Sequence, residues 1–478
     1  MTRTYDLIVL GAGPVGENVA DYASKRGLSA VAVEVELVGG ECSYWACIPS
    51  KAILRPGLVL DAARRVEGAK AAVTGRLDAE AVLRRRDSFV HDWDDSSHVH
   101  WMSDAGIDLL RGRARITGRR TVTVTPEVGE PIELTARFAV AVCTGSAAML
   151  PDVPGLAEAE PWTSRNSTEV KTVPASLAIL GGGVVAAEMA TAFLALGSRV
   201  TVVARGGLLG RMEPFAGELV AEQLERSGAT LRLGVRPTAA RRTADGVSLE
   251  LDDGSAVTAE ELLVATGRRP RTDDLGLATV GLEDGDWLNV DDTMLVRADT
   301  NDGDPWLYAV GDVNHRALLT HQGKYQARAA GEAIAARAQG RALDDGRWGL
   351  HVASADSGAV PQVTFSDPEV ASVGLTEKAA RDAGLDVRVV DYDIAAVAGA
   401  SLLSDEYTGR ARLVIDPARD VLLGATFVGQ DVAELLHSAT VALVGEVPLR
   451  RLWHAVPSFP TTSEVWLRLL ETYGRPDA

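Results

Sequence analysis

The chain has 478 residues, a formal net charge of −18, and hydrophobic residues at 46% of its positions. That length accommodates about three domains, and the acidity excludes nucleic acid or an anionic membrane surface as a natural partner. Three cysteines do not make a disulfide scaffold. No apolar run reaches transmembrane length, and glycine comes too early for a signal sequence, so a cytoplasmic protein is expected.

Residues 6–10, Asp-Leu-Ile-Val-Leu, read as a buried strand. The turn Gly11-Ala12-Gly13-Pro14-Val15-Gly16 follows, then a helix from Glu17 to about Lys25. Glycines here permit a tight turn and close backbone approach to a pyrophosphate seated on the helix N-terminus. A second strand, residues 31–34, ends in Glu34, near the distance at which a carboxylate meets adenosine ribose hydroxyls. Just beyond lies Gly39-Gly40-Glu41-Cys42-Ser43-Tyr44-Trp45-Ala46-Cys47-Ile48-Pro49-Ser50-Lys51. A thiol pair beside a bound dinucleotide is a layout for passing electrons through a disulfide. A zinc site needs further ligands, and no second CxxC or HxxxH cluster is present.

These motifs resemble those of the flavoprotein disulfide reductases, the family of glutathione reductase, dihydrolipoamide dehydrogenase and mercuric reductase, and the resemblance covers nearly the whole chain. It implies that Cys47 lies against the isoalloxazine as the charge-transfer thiolate and that Cys42 is the interchange thiol facing substrate. The cysteines are expected to open a helix, whose dipole lowers thiol pKa. Lys51 is implied to lie near flavin N5, paired with Glu188. Ala46 stands where the family has glycine, so Tyr44 and Trp45 predict a bulkier wall near the disulfide. The resemblance extends to Tyr308-Ala309-Val310-Gly311-Asp312, whose aspartate would hold the ribityl chain, and to Val142-Cys143-Thr144-Gly145-Ser146, with Cys143 as a small core residue. The backbone of Arg113-Ala114-Arg115 would meet the adenine. FAD is the implied cofactor, held by Gly11, Gly13, Pro14, Gly16, Glu34, Gly40, Cys42, Lys51, Ala114, Thr144, Gly145, Gly311 and Asp312.

A second buried strand, Ser176–Leu180, precedes Gly181-Gly182-Gly183-Val184-Val185-Ala186-Ala187-Glu188, a GxGxxA turn. The next strand, residues 199–203, is followed by Ala204 and Arg205 where an NAD site carries an acid, and Arg211 comes six residues later. A carboxylate repels the 2′-phosphate of NADPH, whereas arginine bonds it with charge assistance. NADPH is therefore preferred over NADH, with Gly181, Gly183, Ala186, Glu188, Arg205, Arg211 and Gly267 at its site. Gly267 belongs to Ala265-Thr266-Gly267-Arg268-Arg269-Pro270, which resembles the turn leading back to the FAD domain. Arg271 replaces the family's usual asparagine.

The C-terminal third resembles the family's dimerisation domain through residues 363–374. In the family, the partner subunit supplies a His-Pro-Thr-x-x-Glu segment whose histidine is the acid/base for the interchange thiol. Here the segment reads Phe459-Pro460-Thr461-Thr462-Ser463-Glu464. Glu464 is present and phenylalanine replaces the base, whose contribution is roughly 10²–10⁴-fold in rate. His454 and His321 are alternative proton sources, each also readable as an ordinary surface histidine. Trp453 and Trp466 near Phe459 suggest an aromatic mouth, or else interface packing. The C-terminal cysteine pair of mercuric reductase is absent, which disfavours mercury.

The expected fold is α/β: two Rossmann-like dinucleotide-binding domains and a C-terminal α+β dimerisation domain. The expected boundaries are 1–150 and 271–348 for FAD, 151–270 for NADPH and 349–478 for a homodimer interface. Three functions remain open: an NADPH-dependent reductase of disulfides or other thiol-reactive molecules, a diaphorase-type reductase of quinones or metal ions, and a flavin-bearing redox sensor.

Overall fold

The computed structural model describes residues 2–301 and 303–475. The chain forms two compact units, one of Met1–Pro49, Asp87–Met149 and Gly267–Asp356, the other of Ser50–Arg86, Leu150–Thr266 and Ser357–Ala478.

The first unit is built on β1 (Thr2–Leu10), β2 (Ala30–Glu34), β3 (Ile107–Arg111), β4 (Arg113–Gly118), β5 (Thr121–Thr125) and β6 (Ile132–Val142), in the order β3-β2-β1-β6-β5-β4. The strand Leu307–Ala309 joins it parallel to β6. β1 is parallel to β2 and β6, while β5 is antiparallel to β4 and β6. Leu7, Ile8, Val9 and Leu10 are wholly buried. A parallel strand covered on both faces needs this unbroken apolar run.

Helix α1 (Pro14–Ser24) follows the first glycine turn. It starts at Pro14, a turn ahead of the expected Glu17, because the fixed φ of proline suits the first helical position. α1 packs on the helix Thr320–Ala338, where a Cβ on Gly331 would come 2.7 Å from Tyr22 Cβ.

In the second unit, a four-stranded parallel sheet runs Thr230–Leu233, Arg199–Ala204, Ser176–Leu180, Glu261–Val264. Its core is Leu177, Ile179, Phe193, Val200 and Val202, with Phe215 from the helix Pro214–Arg226. The C-terminal segment forms a five-stranded antiparallel sheet of Pro361–Thr364, Glu369–Gly374, Val421–Gly429, Arg410–Asp416 and Arg388–Asp393. The helices Leu436–Val444 and Val465–Tyr473 pack on it through Leu436, Ala439, Leu469 and Leu470. Arg412, largely buried on this sheet, binds Glu213 at 3.0 Å, Glu377 at 2.8 Å and Asp391 at 2.8 Å. The two Rossmann-like sheets and the α+β segment are the expected architecture.

Candidate functional site

The first glycine turn is a cradle that side chains would fill. Gly11 has φ +97°, and a Cβ there would lie 2.6 Å from the Cys143 carbonyl oxygen. A Cβ on Gly16 would lie 1.9 Å from the carbonyl oxygen of Gly11. Gly13 is the extended N-cap of α1 and bears no capping side chain. Glu34, buried at the end of β2, accepts hydrogen bonds from the Ala12 N–H at 2.7 Å and the Glu36 N–H at 2.8 Å. Ala114 lies on β4 opposite Val124.

Thr144 presents a buried hydroxyl with no hydrogen-bond partner, beside Gly145 at φ +71°. Asp312 accepts from the Ser146 hydroxyl at 2.5 Å, and burial pushes its carboxyl up. Gly311, at φ +82°, donates its N–H to Gln326 at 2.8 Å. A turn with open backbone at a helix N-terminus, a held acid and an orphaned hydroxyl fits a dinucleotide of the FAD type.

The two cysteines lie on two helices, α2 (Gly40–Tyr44) and α3 (Cys47–Arg64). Cys47 opens α3, as expected. Cys42 lies in the first turn of α2, as its third residue. Both are half-buried thiols outside any disulfide. Cys47 Sγ lies 3.3 Å from the Thr320 hydroxyl. The pKa of Cys42 is pushed well above the ordinary thiol value. Its hydrogen bond with Cys47 is the first cause and burial the second.

Gly40, at φ +54°, approaches the nucleotide turn so closely that a Cβ would sit 2.9 Å from Gly13 Cα. The bulky wall is present. Tyr44 and Trp45 are buried, meet edge-on at 5.8 Å and pack with Val90 and Trp93. Burial pushes the Tyr44 hydroxyl up to about 12.

Three polar partnerships in this unit have no sequence signal. His98 Nδ1 lies 2.8 Å from buried Glu17. Thr320 meets Cys47. Arg271 binds Glu41 at 2.7 Å, with Glu36 at 3.7 Å.

In the second unit, Lys51 Nζ lies 2.7 Å from Glu188 Oε2, so the expected pair forms. The other oxygen of Glu188 accepts the Phe365 N–H at 3.0 Å, and Lys51 lies 4.9 Å from the centre of the Phe365 ring. Gly181, at φ +138°, leaves a Cβ only 2.3 Å from the Ala265 carbonyl oxygen. Gly183 is the extended N-cap of the helix Val184–Ala195, in which Ala186 is wholly buried. Ala204 is buried, whereas Arg205 and Arg211 are exposed. Gly267 folds with the first unit and accepts the Met149 N–H at 3.0 Å. Among the described residues no cluster of three or more acids, histidines and cysteines could hold a metal ion.

Phe459 is 75% exposed and precedes a cis proline. Glu464 is buried; one oxygen accepts from Arg468 at 2.6 Å, and the other is buried without a partner. His454 and His321 are exposed. Of the two tryptophans near Phe459, Trp466 packs on Phe427 at 5.6 Å, and Trp453 packs against the same core. Both indole nitrogens are buried, while the rings as a whole are half-buried against the C-terminal core.

The family model for pyridine nucleotide-disulphide oxidoreductases matches residues 5–340, and that for the family's dimerisation domain matches 360–469. A dihydrolipoyl dehydrogenase of Chlorobaculum tepidum is 34% identical over 97% of this chain and 96% of its own length. A mercuric reductase of Staphylococcus aureus is 29% identical over 96% of this chain and 81% of its own. The flavoprotein disulfide reductase RclA of Escherichia coli has the same fold, with a TM-score of 0.81 at 23% identity over 98% of this chain and 99% of that one.

Proposed function

The chain belongs to the pyridine nucleotide-disulphide oxidoreductases, and from that premise we propose that it passes electrons from NADPH, through FAD, to a Cys42–Cys47 disulfide and on to a small disulfide or other thiol-reactive acceptor. It is an enzyme of an FAD-dependent family that uses a pyridine nucleotide. FAD, when bound, accepts a hydride from nicotinamide and hands the electron pair to sulfur. The observation that carries the reading is the approach of Gly40 to Gly13, which sets the helix of Cys42 against the nucleotide turn.

Gly11, Gly13, Pro14 and Gly16 would seat the pyrophosphate, with Gly40, Ala114, Thr144, Gly145, Gly311 and Asp312 around the remainder. Lys51 and Glu188 would keep a positive charge beside the ring system. Gly181, Gly183 and Ala186 would receive NADPH, with Arg205 and Arg211 on its 2′-phosphate. This assigns 1–150 and 271–348 to FAD, 151–270 to NADPH and 349–478 to the subunit interface. It also makes the protein a cytoplasmic homodimer, in which Glu464 serves the partner's active site. The match to the dimerisation domain supports that assembly. Among the described residues no helix is long and apolar enough to cross a membrane.

Anaerobic NADPH is expected to make Cys42 and Cys47 newly reactive to iodoacetamide, read by mass spectrometry, and Cys42→Ser is expected to reduce disulfide turnover to background. Unchanged labelling would sink the reading. Phe459 favours one second reading, direct transfer to quinones, since that acceptor needs no proton from this position. Quinone reduction that survives in Cys42→Ser would support it.

A further inference from the structure

The turn that carries Asp312 hangs on one buried amide. Gln326 is wholly buried on the helix Thr320–Ala338. Its Oε1 accepts the Gly311 N–H at 2.8 Å and a hydrogen of Asn314 Nδ2 at 2.8 Å. Asn314 also donates to the Ala309 carbonyl oxygen at 3.1 Å. Ala309 ends the strand that joins β6, and Asp312–Asn314 form a short 3-10 turn. Gln326 therefore holds the chain on both sides of Asp312.

An amide fits a slot either way round, and here a second group decides. Gln326 Nε2 donates to Asp356 Oδ2 at 2.9 Å, and Gln322, one helical turn away, donates to Asp356 Oδ1 at 2.7 Å. Arg316 Nε lies 3.1 Å from the same Oδ2, and the Asp356 side chain is 1% exposed. With donors on both its oxygens, this carboxylate accepts, so Gln326 must turn its NH₂ to Asp356 and its oxygen to Gly311. Reversed, the amide would set N–H against N–H at Gly311 and leave buried donors unpaired. The turn also lies against the first nucleotide turn. A Cβ on Gly311 would come 3.0 Å from Val15 Cγ2, and one on Gly323 would come 2.6 Å from that atom.

We propose that Gln326, oriented by Asp356, positions Asp312 for the ribityl chain of the flavin. The proposal rests on the assignment of Asp312 to FAD above. Ser146 fixes Oδ2 of Asp312 at 2.5 Å, so the aim of the carboxylate follows from its backbone. That backbone is set by Gln326. Gln326 and Asp356 act through Asp312 and are positioning residues.

The test follows FAD release from diluted holoenzyme, read as the rise in flavin fluorescence. Gln326→Leu keeps the volume and removes both polar ends. Its release is expected to quicken by about 10–100-fold, the scale of an unpaired buried group. Asp356→Asn leaves Gln326 in place but lets its amide turn, and release is expected to quicken by about 3–10-fold, the scale of one hydrogen bond. Asp312→Asn is expected to quicken release as well. Once that carboxylate is gone, the relay has nothing left to position. In the Asp312→Asn background, each relay substitution is therefore expected to change release by less than about twofold. Effects that multiply in full mark a merely structural role and overturn the proposal. Wild-type release from Gln326→Leu or Asp356→Asn, with Asp312→Asn fast, also overturns it and leaves the flavin assignment standing. Wild-type release from Asp312→Asn overturns both. If Gln326→Leu purifies without flavin, Asp356→Asn closes the cycle alone, and the same outcomes decide.

Discussion

The two nucleotide-type turns begin alike and part at one residue. Both follow a buried parallel strand, both place a left-handed glycine against a carbonyl, and both open a helix with an extended glycine cap. At the end of the second strand, the first turn has Glu34, folded back onto the Ala12 N–H. The second has buried Ala204 and exposed Arg205. The glycines thus answer to a pyrophosphate common to all dinucleotides, and the strand-end residue answers to what distinguishes them.

The largest expected effect attacks the shared part. Gly16→Ala forces a Cβ to 1.9 Å from the Gly11 carbonyl oxygen, where backbone must shift. The purified variant is expected to lack visible flavin absorbance. Its counterpart Gly181→Ala meets the Ala265 carbonyl oxygen at 2.3 Å and is expected to retain flavin yet lose reduction by NADPH. If both variants lost flavin, the division of labour between the turns would be wrong.

The next effect attacks the difference. Arg205→Ala with Arg211→Ala is expected to raise the NADPH KM by about 10–100-fold, the scale of lost hydrogen bonds to a charged group, with the NADH KM little changed. Equal effects on both nucleotides would defeat the NADPH assignment. The smallest change sharpens the comparison. Ala204→Glu returns an acid to the strand end and is expected to shift preference toward NADH by about fivefold, the scale of one repulsion of about 1 kcal/mol. Steady-state kinetics with both nucleotides measures it.

The glycine turns, the thiol pair and Lys51–Glu188 were legible because each depends on short motifs whose backbone geometry is local. What packing decides was not. Glu17 and His98 are 81 residues apart, and Glu41 and Arg271 are 230 apart. No periodicity links such partners. Trp453 and Trp466 look like neighbours of Phe459 in the sequence, yet both pack, half-buried, against the C-terminal core, while Phe459 is exposed. The position of Cys42 inside α2 was hidden for a further reason. The break at Trp45, φ −134°, separates two helices that the motif reads as one.

The orphaned hydroxyl of Thr144 reaches beyond catalysis. A buried donor without a partner costs a fold about 1–3 kcal/mol, a sizeable fraction of a typical margin of about 5–15 kcal/mol. A cofactor that satisfies it binds the native chain and not the unfolded one, so its concentration enters the folding equilibrium directly. Added FAD is then expected to slow proteolysis of the purified protein, which digestion with and without the cofactor measures.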